Sequence, residues 1–528
     1  MVKKPRIVII GAGIAGLTAA NRLHKSMGGI DLCVVEGGNR IGGRIKTSEF
    51  GGDRVEMGAT WIHGIGGSPV YKIALESNSM ESDKPWECMD GILDDPITIA
   101  EHGYVLHPSL VDPVLKLFEN LMEFVQGKRK TCWNWNGNRS VGAFLRQGLE
   151  EYWQMESRNR NGNGNGDGNW NRKLLEEGIF AIQENNQRTH TGADDLFDLN
   201  YDAECEYTVC PGEELTIGKG YSSVIESLAS ILPCGVIQLG KKVCKIEWHL
   251  KSETEVGIVE NGYDDDGRKP VKVHFLDGTT LSADHVIVTV PLGVLKAGIR
   301  DSNDSNHSGM LKFSPPLPDY KIGAISRLGY GVVNKLFMQL SPDLSGFDPF
   351  PNLQLVFHKS DSEGRNPKIP WWMRKTASVA PIYKKSRVLL AWFAGEEALK
   401  LETMSDEVIL DEVSTTLSSF LSNASDSHER CNGNVIKNSS KVNLVKVLKS
   451  KWASDPLFLG SYSYVAVGSS GCDIDTLAEP LTTSGSHPLQ ILFAGEATHR
   501  THYSTTHGAY FSGIREANRL LEHYQCMD

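Results

Sequence analysis

Residues 6–36 read RIVIIGAGIAGLTAANRLHKSMGGIDLCVVE and decide the fold of the chain. The opening RIVII is a continuous apolar run, typical of a parallel strand that is buried on both faces. The glycines fit G-x-G-x-x-G: Gly11 permits a tight turn, Gly13 leaves room for a pyrophosphate, and Gly16 lets the following helix pack close to the strand. Glu36 ends the second apolar run 20 residues after Gly16, where a carboxylate accepts a hydrogen bond from a ribose 2′-OH. The stretch therefore predicts a dinucleotide-binding strand–helix–strand unit, and its acid disfavours a 2′-phosphate.

Composition limits the classes of partner. The 528 residues are 40% hydrophobic, which is enough for two or three domains. The net charge of -11 disfavours a nucleic-acid partner and favours a cationic ligand. No apolar run reaches the roughly 18 residues of a membrane span. For this reason we expect no membrane partner. Ten cysteines without a C-x-x-C motif are typical of a reduced protein, so we expect a cytoplasmic location.

Nucleotide-domain patterns return in three separate parts of the chain. Residues 1–85, 211–300 and 446–528 carry short apolar runs next to glycine turns. Residues 86–210 and 301–445 between them have a different, more helical pattern. We therefore predict one domain built from the first three segments and a second, substrate-binding domain built from the other two.

Two polar tracts are predicted to be disordered loops. Residues 159–171 alternate asparagine with glycine, and residues 422–440 are rich in serine and asparagine. Neither composition can bury a core.

A hairpin is predicted around Asp277-Gly278. Apolar runs at residues 271–275 and 283–290 flank this dipeptide. Asp-Gly between two apolar runs is a strong turn signal, so we expect the runs to group as a hairpin.

Four further motifs carry candidate chemistry. Gly42-Gly43-Arg44 offers a guanidinium to a phosphate oxygen. Trp61 and His63 lie among small residues, as in a loop that faces a cofactor. Lys335 interrupts an apolar strand, and lysine is rarely buried without a partner or a role. The last apolar run ends in Gly495-Glu496 and so returns the chain to the nucleotide end of the sheet.

Taken in order, these motifs resemble the flavin amine oxidase family along almost the whole chain. Two further stretches resemble the same family: VIVTVPLGVL at residues 286–295 and FAGEAT at residues 493–498. Residues 460–464 (GSYSY) and 503–509 (YSTTHGA) are similar to animal spermine oxidases. Together with the N-terminal sequence, they also resemble plant polyamine oxidases that act on thermospermine and spermine.

The resemblance implies an α/β fold in which a Rossmann-like FAD-binding domain is interleaved with an α+β substrate-binding domain. It implies FAD bound noncovalently, because Ser461 stands in the region where monoamine oxidases have a cysteine attached to FAD. Glu36 would hold the adenosine ribose and Arg44 would approach the pyrophosphate. The implied cofactor residues are Gly11, Gly13, Ala15, Gly16, Glu36, Arg44, Gly58, Ala59, Thr60, Trp61, Val243, Trp452, Gly495, Glu496, Thr505 and Thr506.

The resemblance also implies catalytic roles for Lys335, which would hold a water at flavin N5, and for His63 in the substrate tunnel. Some plant enzymes have an aromatic residue near Thr505, whereas this chain has a small polar one. The acids that hold the distal ammonium groups are not identified by a motif, and Glu184 and Glu204 are the candidates. The implied substrate-binding residues are Trp61, His63, Glu184, Glu204, Tyr462, Ser504 and Thr505.

The implied reaction is hydride transfer from a carbon beside a secondary amine to flavin N5. Hydrolysis of the imine and reoxidation of the flavin by O₂ would follow, with release of H₂O₂. Spermine or thermospermine would give spermidine and 3-aminopropanal. Terminal degradation, which gives 1,3-diaminopropane, is the alternative outcome.

Three alternative functions each fit a part of the sequence. A quinone-copper amine oxidase would use Asn200-Tyr201-Asp202 with His499, His502 and His507, but it would leave the nucleotide motifs unexplained, so no metal is expected. A chromatin binder like the histone lysine demethylases is disfavoured by the negative charge and by the absence of a long helical insertion. A non-catalytic FAD scaffold is disfavoured because Lys335 and His63 are both present.

Overall fold

The computed structural model describes residues 4–87, 95–129, 139–159, 170–249, 269–300, 309–342, 349–359, 364–421, 442–482 and 489–525. In these ranges the strands form two large sheets and three small ones. The mixture of helices and sheets confirms the α/β class predicted from the sequence.

The first large sheet contains the strand that opens the chain. Arg6–Ile10 pairs in parallel with Asp31–Val35 on one side and with His285–Val288 on the other. Val8 and Ile10 enter one hydrophobic core, and Ile7 and Ile9 enter a second core on the opposite face. The strand is therefore buried on both faces, as its continuous apolar sequence predicts. In spatial order the six described strands are Leu481–Thr482, Leu489–Phe493, His285–Val288, Arg6–Ile10, Asp31–Val35 and Ile237–Gln238.

The predicted hairpin is only half correct. Val271–Phe275 pairs antiparallel with Thr280–Ala283 around Asp277-Gly278. The next run, His285–Val288, leaves this hairpin and joins the first large sheet. Asp284 marks the crossing, since its backbone N–H donates to the carbonyl of Arg6 at 2.9 Å. The four described strands of the hairpin sheet are Thr280–Ala283, Val271–Phe275, Val243–Glu247 and Lys312–Ser314.

The second large sheet carries Lys335. Its strand, Val333–Leu340, lies between Val388–Ala394 and Leu444–Lys449 and pairs antiparallel with both. The boundary predicted at residue 446 thus falls inside a strand of this sheet. In spatial order its seven described strands are Leu444–Lys449, Val333–Leu340, Val388–Ala394, Ser378–Pro381, Leu353–Val356, Ile97–Ala100 and Tyr104–Val105.

Two short pairs of strands complete the described sheets. They are Gly329–Gly331 with Tyr462–Tyr464, and Thr47–Phe50 with Asp53–Glu56.

The helices cover the outer faces of these sheets. Ile14–Ser26 and Thr506–His523 pack against one face of the first sheet through a shared core. Of the tracts predicted to be loops, residues 160–169 and 422–440 lie outside the described residues, whereas Trp170 is buried. The described helices are Ile14–Ser26, Pro69–Glu76, Pro108–Val125, Val141–Asn159, Arg172–Thr191, Tyr201–Glu206, Ser222–Ser230, Leu292–Ile299, Asp319–Arg327, Gly395–Thr403, Asp406–Leu421, Gly471–Ala478 and Thr506–His523.

Within the described ranges, every helix is too short or too polar to cross a lipid bilayer.

Candidate functional site

One cavity of about 800 Å³ collects most of the candidate residues. Its wall takes residues from both large sheets and from the start of the last helix. Gly16 and Glu184 are the two candidates that do not line it. Those that do are Gly11, Gly13, Ala15, Glu36, Arg44, Gly58, Ala59, Thr60, Trp61, His63, Glu204, Val243, Lys335, Trp452, Tyr462, Gly495, Glu496, Ser504, Thr505 and Thr506.

The three glycines of the first motif have three different environments. Gly11 has φ of +109°, which side chains rarely adopt. A Cβ on Gly16 would lie 2.0 Å from the carbonyl oxygen of Gly11, so only glycine lets the helix begin this close to the strand. Apart from its chain neighbours, no atom of the described residues lies within 4 Å of a Cβ on Gly13. Gly13 is therefore open toward the cavity, as a phosphate-binding turn requires.

Glu36 is held at the end of its strand by backbone donors. Its carboxylate accepts hydrogen bonds from the N–H groups of Ala12 at 2.9 Å and Gly38 at 2.8 Å. Val243, which begins the strand Val243–Glu247, lines the same cavity. This arrangement fits the adenosine end of a dinucleotide.

Arg44 and Glu496 join the two ends of the chain at the cavity. Arg44 Nη1 donates to Glu496 Oε1 at 2.8 Å and to the carbonyl of Ser461 at 2.8 Å. The backbone N–H of Ser504 also donates to Glu496, at 2.8 Å. Because Ser504 precedes the helix Thr506–His523, Glu496 fixes the start of that helix against the cavity wall.

Lys335 is buried, with only 2% of its surface exposed. Its Nζ donates to the carbonyl of Glu56 and to the hydroxyl of Thr60. The same nitrogen lies 4.5 Å from the ring centre of Trp392, because Lys335 and Trp392 are directly paired across neighbouring strands. Burial lowers the pKa of Lys335, and the Glu87 and Glu56 carboxylates oppose that change.

An aromatic wall adjoins the lysine. The rings of Trp61 and Trp392 stack with centroids 5.6 Å apart and an interplanar angle of 19°. The indole N–H of Trp61 is buried and has no hydrogen-bond partner among the described residues. A flat wall with an unpaired donor is suited to a planar ligand that carries acceptors. Together with the open Gly13 and the acid at Glu36, these residues fit FAD.

His63 is paired with an acid that no sequence motif singled out. Ile62 and Leu215 form an antiparallel bridge, which brings His63 beside Glu214. Nδ1 of His63 lies 2.9 Å from Glu214 Oε1, and both side chains are partly exposed, at 40% and 46%. This hydrogen bond lowers the pKa of Glu214, so its carboxylate is ionised at neutral pH.

The two acids predicted at the distal ammonium groups differ in position. Glu204 lines the cavity, but its carboxyl group accepts a hydrogen bond from the Tyr503 hydroxyl at 2.5 Å, and burial raises its pKa to about 7. Glu184 lines a separate cavity and is held by Arg146 at 2.7 Å. The structure does not bring Glu184 to the site: on the helix Arg172–Thr191 it is paired with Arg146 of the neighbouring helix, and burial raises the pKa of its carboxyl group to about 7.

The three histidines of the copper alternative do cluster. The rings of His499 and His502, and those of His502 and His507, have centroids 4.9 Å apart, and all three pack near Phe511. Burial lowers the pKa of His499 to about 4 and that of His507 to about 3. In the part of the chain that the structure describes, no group of three or more His, Cys, Asp or Glu side chains has an arrangement that could hold a metal.

Sequence reasoning missed many residues of the cavity wall, among them Trp392, His190 and Glu214. Trp392 is recognisable only through its pairing with Lys335 across the sheet. His190 lies in the last turn of the helix Arg172–Thr191, without a motif around it. Glu214 follows Glu213 in a loop, where the sequence predicts that both carboxylates are exposed to solvent.

Comparison with known proteins agrees with this geometry. Residues 14–521 match the family described as flavin containing amine oxidoreductase. The chain is 52% identical to Probable polyamine oxidase 5 of Arabidopsis thaliana, and the alignment covers 100% of both chains. It is 44% identical to Polyamine oxidase 1 of Oryza sativa subsp. japonica, over 99% of this chain and 98% of that one. It is 35% identical to the Peroxisomal N(1)-acetyl-spermine/spermidine oxidase of Homo sapiens, over 98% of this chain and 95% of that one.

The family match and the full-length relatives confirm what the motifs and their order predicted. The chain belongs to the flavin containing amine oxidoreductases, and it is therefore an oxidoreductase with FAD as its cofactor.

Proposed function

We propose that this protein oxidises polyamines at a carbon beside a secondary amine, with O₂ as the electron acceptor. The ionised Glu214 beside His63 carries the proposal, because it places a negative charge in the same cavity as Lys335. A polycationic amine needs such an acid to set its position. The polyamine oxidases among the relatives support the same substrate class.

FAD, when bound, supplies the hydride acceptor, and the residues of this chain control position and protons. When Nδ1 of His63 donates to Glu214, Nε2 of the neutral ring carries no proton and can accept one from a ligand in the cavity that His63 lines. Such an acceptor can take the proton from a substrate ammonium, which must become a neutral amine before its carbon is oxidised. The stacked rings of Trp61 and Trp392 form an apolar part of the wall next to Lys335.

The direction of the reaction is part of the proposal. We expect spermine or thermospermine to give spermidine and 3-aminopropanal, with one H₂O₂ formed per O₂ consumed. The resemblance of residues 503–509 to spermine oxidases supports this outcome. Product identification by mass spectrometry tests it. A main product of 1,3-diaminopropane would instead place the enzyme among those that degrade polyamines terminally, and failure to oxidise any free polyamine would contradict the proposed substrate class.

Glu214→Gln should weaken substrate binding. We expect KM for spermine to rise about tenfold, equivalent to about 1.4 kcal/mol, because an ionised acceptor is lost from the cavity. Because the variant removes an ionised carboxylate from the cavity, the pH profile of kcat/KM should also move.

Glu213→Gln is the matched control for this variant. It removes the same charge one residue away, from an exposed side chain that does not line the cavity. Steady-state kinetics of both variants over a range of pH measure KM and the pH profile of kcat/KM. Equal changes in the two variants would show that only the overall charge of the loop matters.

A further inference from the structure

Two buried acids lie behind Lys335. Glu56 and Glu87 are 5% and 4% exposed, and the backbone N–H of Glu56 donates to Glu87 Oε2 at 2.9 Å. We call them the acid pair. Neither lines the cavity. Their side chains have no part in the chemistry described above. Two described contacts link Glu56 to the site: its carbonyl accepts from Lys335 Nζ, and its carboxylate accepts from the N–H of Tyr221, whose hydroxyl hydrogen-bonds with Thr506.

The two carboxyl groups are bonded unequally. Glu56 accepts from the N–H of Tyr221 at 2.8 Å and from the hydroxyl of Thr47 at 3.0 Å. Glu87 Oε1 is buried and has no hydrogen-bond partner among the described residues. A buried carboxylate with an unpaired oxygen is costly, so a site with two buried acids favours one proton shared between them.

The charge balance of the buried groups also favours one protonated acid. The titratable groups that face one another here are Lys335, the acid pair and the buried hydroxyl of Tyr221. Both hydrogen bonds from Lys335 Nζ go to neutral oxygens, those of the Glu56 backbone and Thr60. With both acids and the lysine ionised, the group would carry a net negative charge away from water. One additional proton makes it neutral, which is the state that burial favours.

We propose that the acid pair holds one proton at neutral pH and thereby sets the charge of Lys335, so that Glu56 and Glu87 are positioning residues that act through this lysine. The inference rests on the proposed function only for its second test below. Its consequence is that the lysine keeps its own proton over a wider range of pH than burial alone would allow.

The titration of these groups agrees with the inference. Burial raises the pKa of Glu56 to about 8, and it also raises the pKa of Glu87. Of the two acids, Glu87 has the larger opposing effect on the lowered pKa of Lys335. Removing the charge of Glu87 should therefore lower the pKa of Lys335 further.

The first test is thermal unfolding of the FAD-bound protein between pH 5 and 8. A group whose pKa is raised on folding, here from 4.5 to about 8 for Glu56, stabilises the fold at low pH and loses that contribution as pH rises. The Tm of wild type minus the Tm of Glu56→Gln should therefore decrease steadily as pH rises across this range. A value that stays constant or increases with pH would overturn the proposal.

A matched control separates this effect from general destabilisation. Glu397 is also buried, with 2% of its surface exposed, and its carboxylate is paired with Arg188 at 2.7 Å, outside the acid pair. Glu397→Gln should lower Tm by a similar amount at every pH in this range. If Glu56→Gln fails to fold, Lys335→Met tests the same proposal. Without the ammonium group, the fall of Tm with rising pH should continue to a higher pH than in wild type. An unchanged profile of Tm against pH would count against the proposal.

The second test measures how the rate of flavin reduction depends on pH. In Glu87→Gln, the group that controls the rate of anaerobic flavin reduction should titrate ~0.5 pH unit or more below its wild-type position, and Glu87→Asp should restore it. An unshifted profile in Glu87→Gln would overturn the proposal. If no polyamine reduces the wild-type flavin, the proposed function fails, whereas the unfolding test still decides the role of the acid pair.

Discussion

Lys335→Met is expected to slow at least one half-reaction of the flavin tenfold or more, about 1.4 kcal/mol of barrier, while FAD stays bound. The lysine lies at the inner wall of the cavity, where its Nζ is directed by Thr60 and the Glu56 carbonyl. Methionine keeps the length and the apolar contacts of the side chain but removes the donor and the titratable nitrogen. The effect should therefore appear in proton-dependent steps and leave cofactor affinity unchanged.

Stopped-flow measurement of flavin reduction by substrate and of reoxidation by O₂ separates the two half-reactions. Lys321→Met is a matched control, because Lys321 is likewise buried over an aromatic ring, with its Nζ 4.4 Å from the ring centre of Phe493. Its Nζ donates to the carbonyls of Thr476 and Glu479, both at 2.7 Å, and it does not line the cavity. This control should lose stability and keep both rates. Wild-type rates in both half-reactions of Lys335→Met would remove the lysine from the chemistry.

The first sheet was predictable where the sequence carries its own local signals. A continuous apolar run, three glycines and an acid at a set spacing specify the strand Arg6–Ile10, the turn and the following helix without reference to the rest of the chain. The structure confirms the burial of this strand on both faces through Ile7 and Val8, which enter different cores.

The failures of prediction arise where distant segments compete. His285–Val288 has the apolar sequence of a hairpin strand, yet it pairs with Arg6–Ile10, because a strand buried on both faces gains more from the centre of the parallel sheet. Glu184 reads as a free acid until the neighbouring helix supplies Arg146. Glu214 reads as solvated until the bridge between Ile62 and Leu215 places it beside His63. In each case the deciding contact is long-range, and no local pattern encodes it.

Gly13→Val is expected to reduce FAD affinity at least a hundredfold, about 2.7 kcal/mol, with little effect on the fold without cofactor. Gly13 has φ of -80° and ψ of -178°, which valine adopts without strain. In the described part of the chain, no atom beyond the neighbouring residues lies within 4 Å of a Cβ at this position, so the new side chain would project into the cavity from the start of the helix Ile14–Ser26. It would occupy the space in which the helix N-terminus receives a phosphate.

Gly28→Val provides the control, because a Cβ on Gly28 would also meet no atom of the described residues within 4 Å, its chain neighbours apart. This glycine lies just beyond the other end of the same helix, outside the cavity. Titration of the apoproteins with FAD, followed by fluorescence, gives both affinities, and thermal unfolding of the apoproteins reports their stability. FAD should appear in the supernatant after acid precipitation of wild type, since Ser461 cannot supply the thiol of a cysteine linkage. Near-wild-type affinity in Gly13→Val would show that the pyrophosphate does not approach this glycine, and the loop would then serve only to join strand and helix.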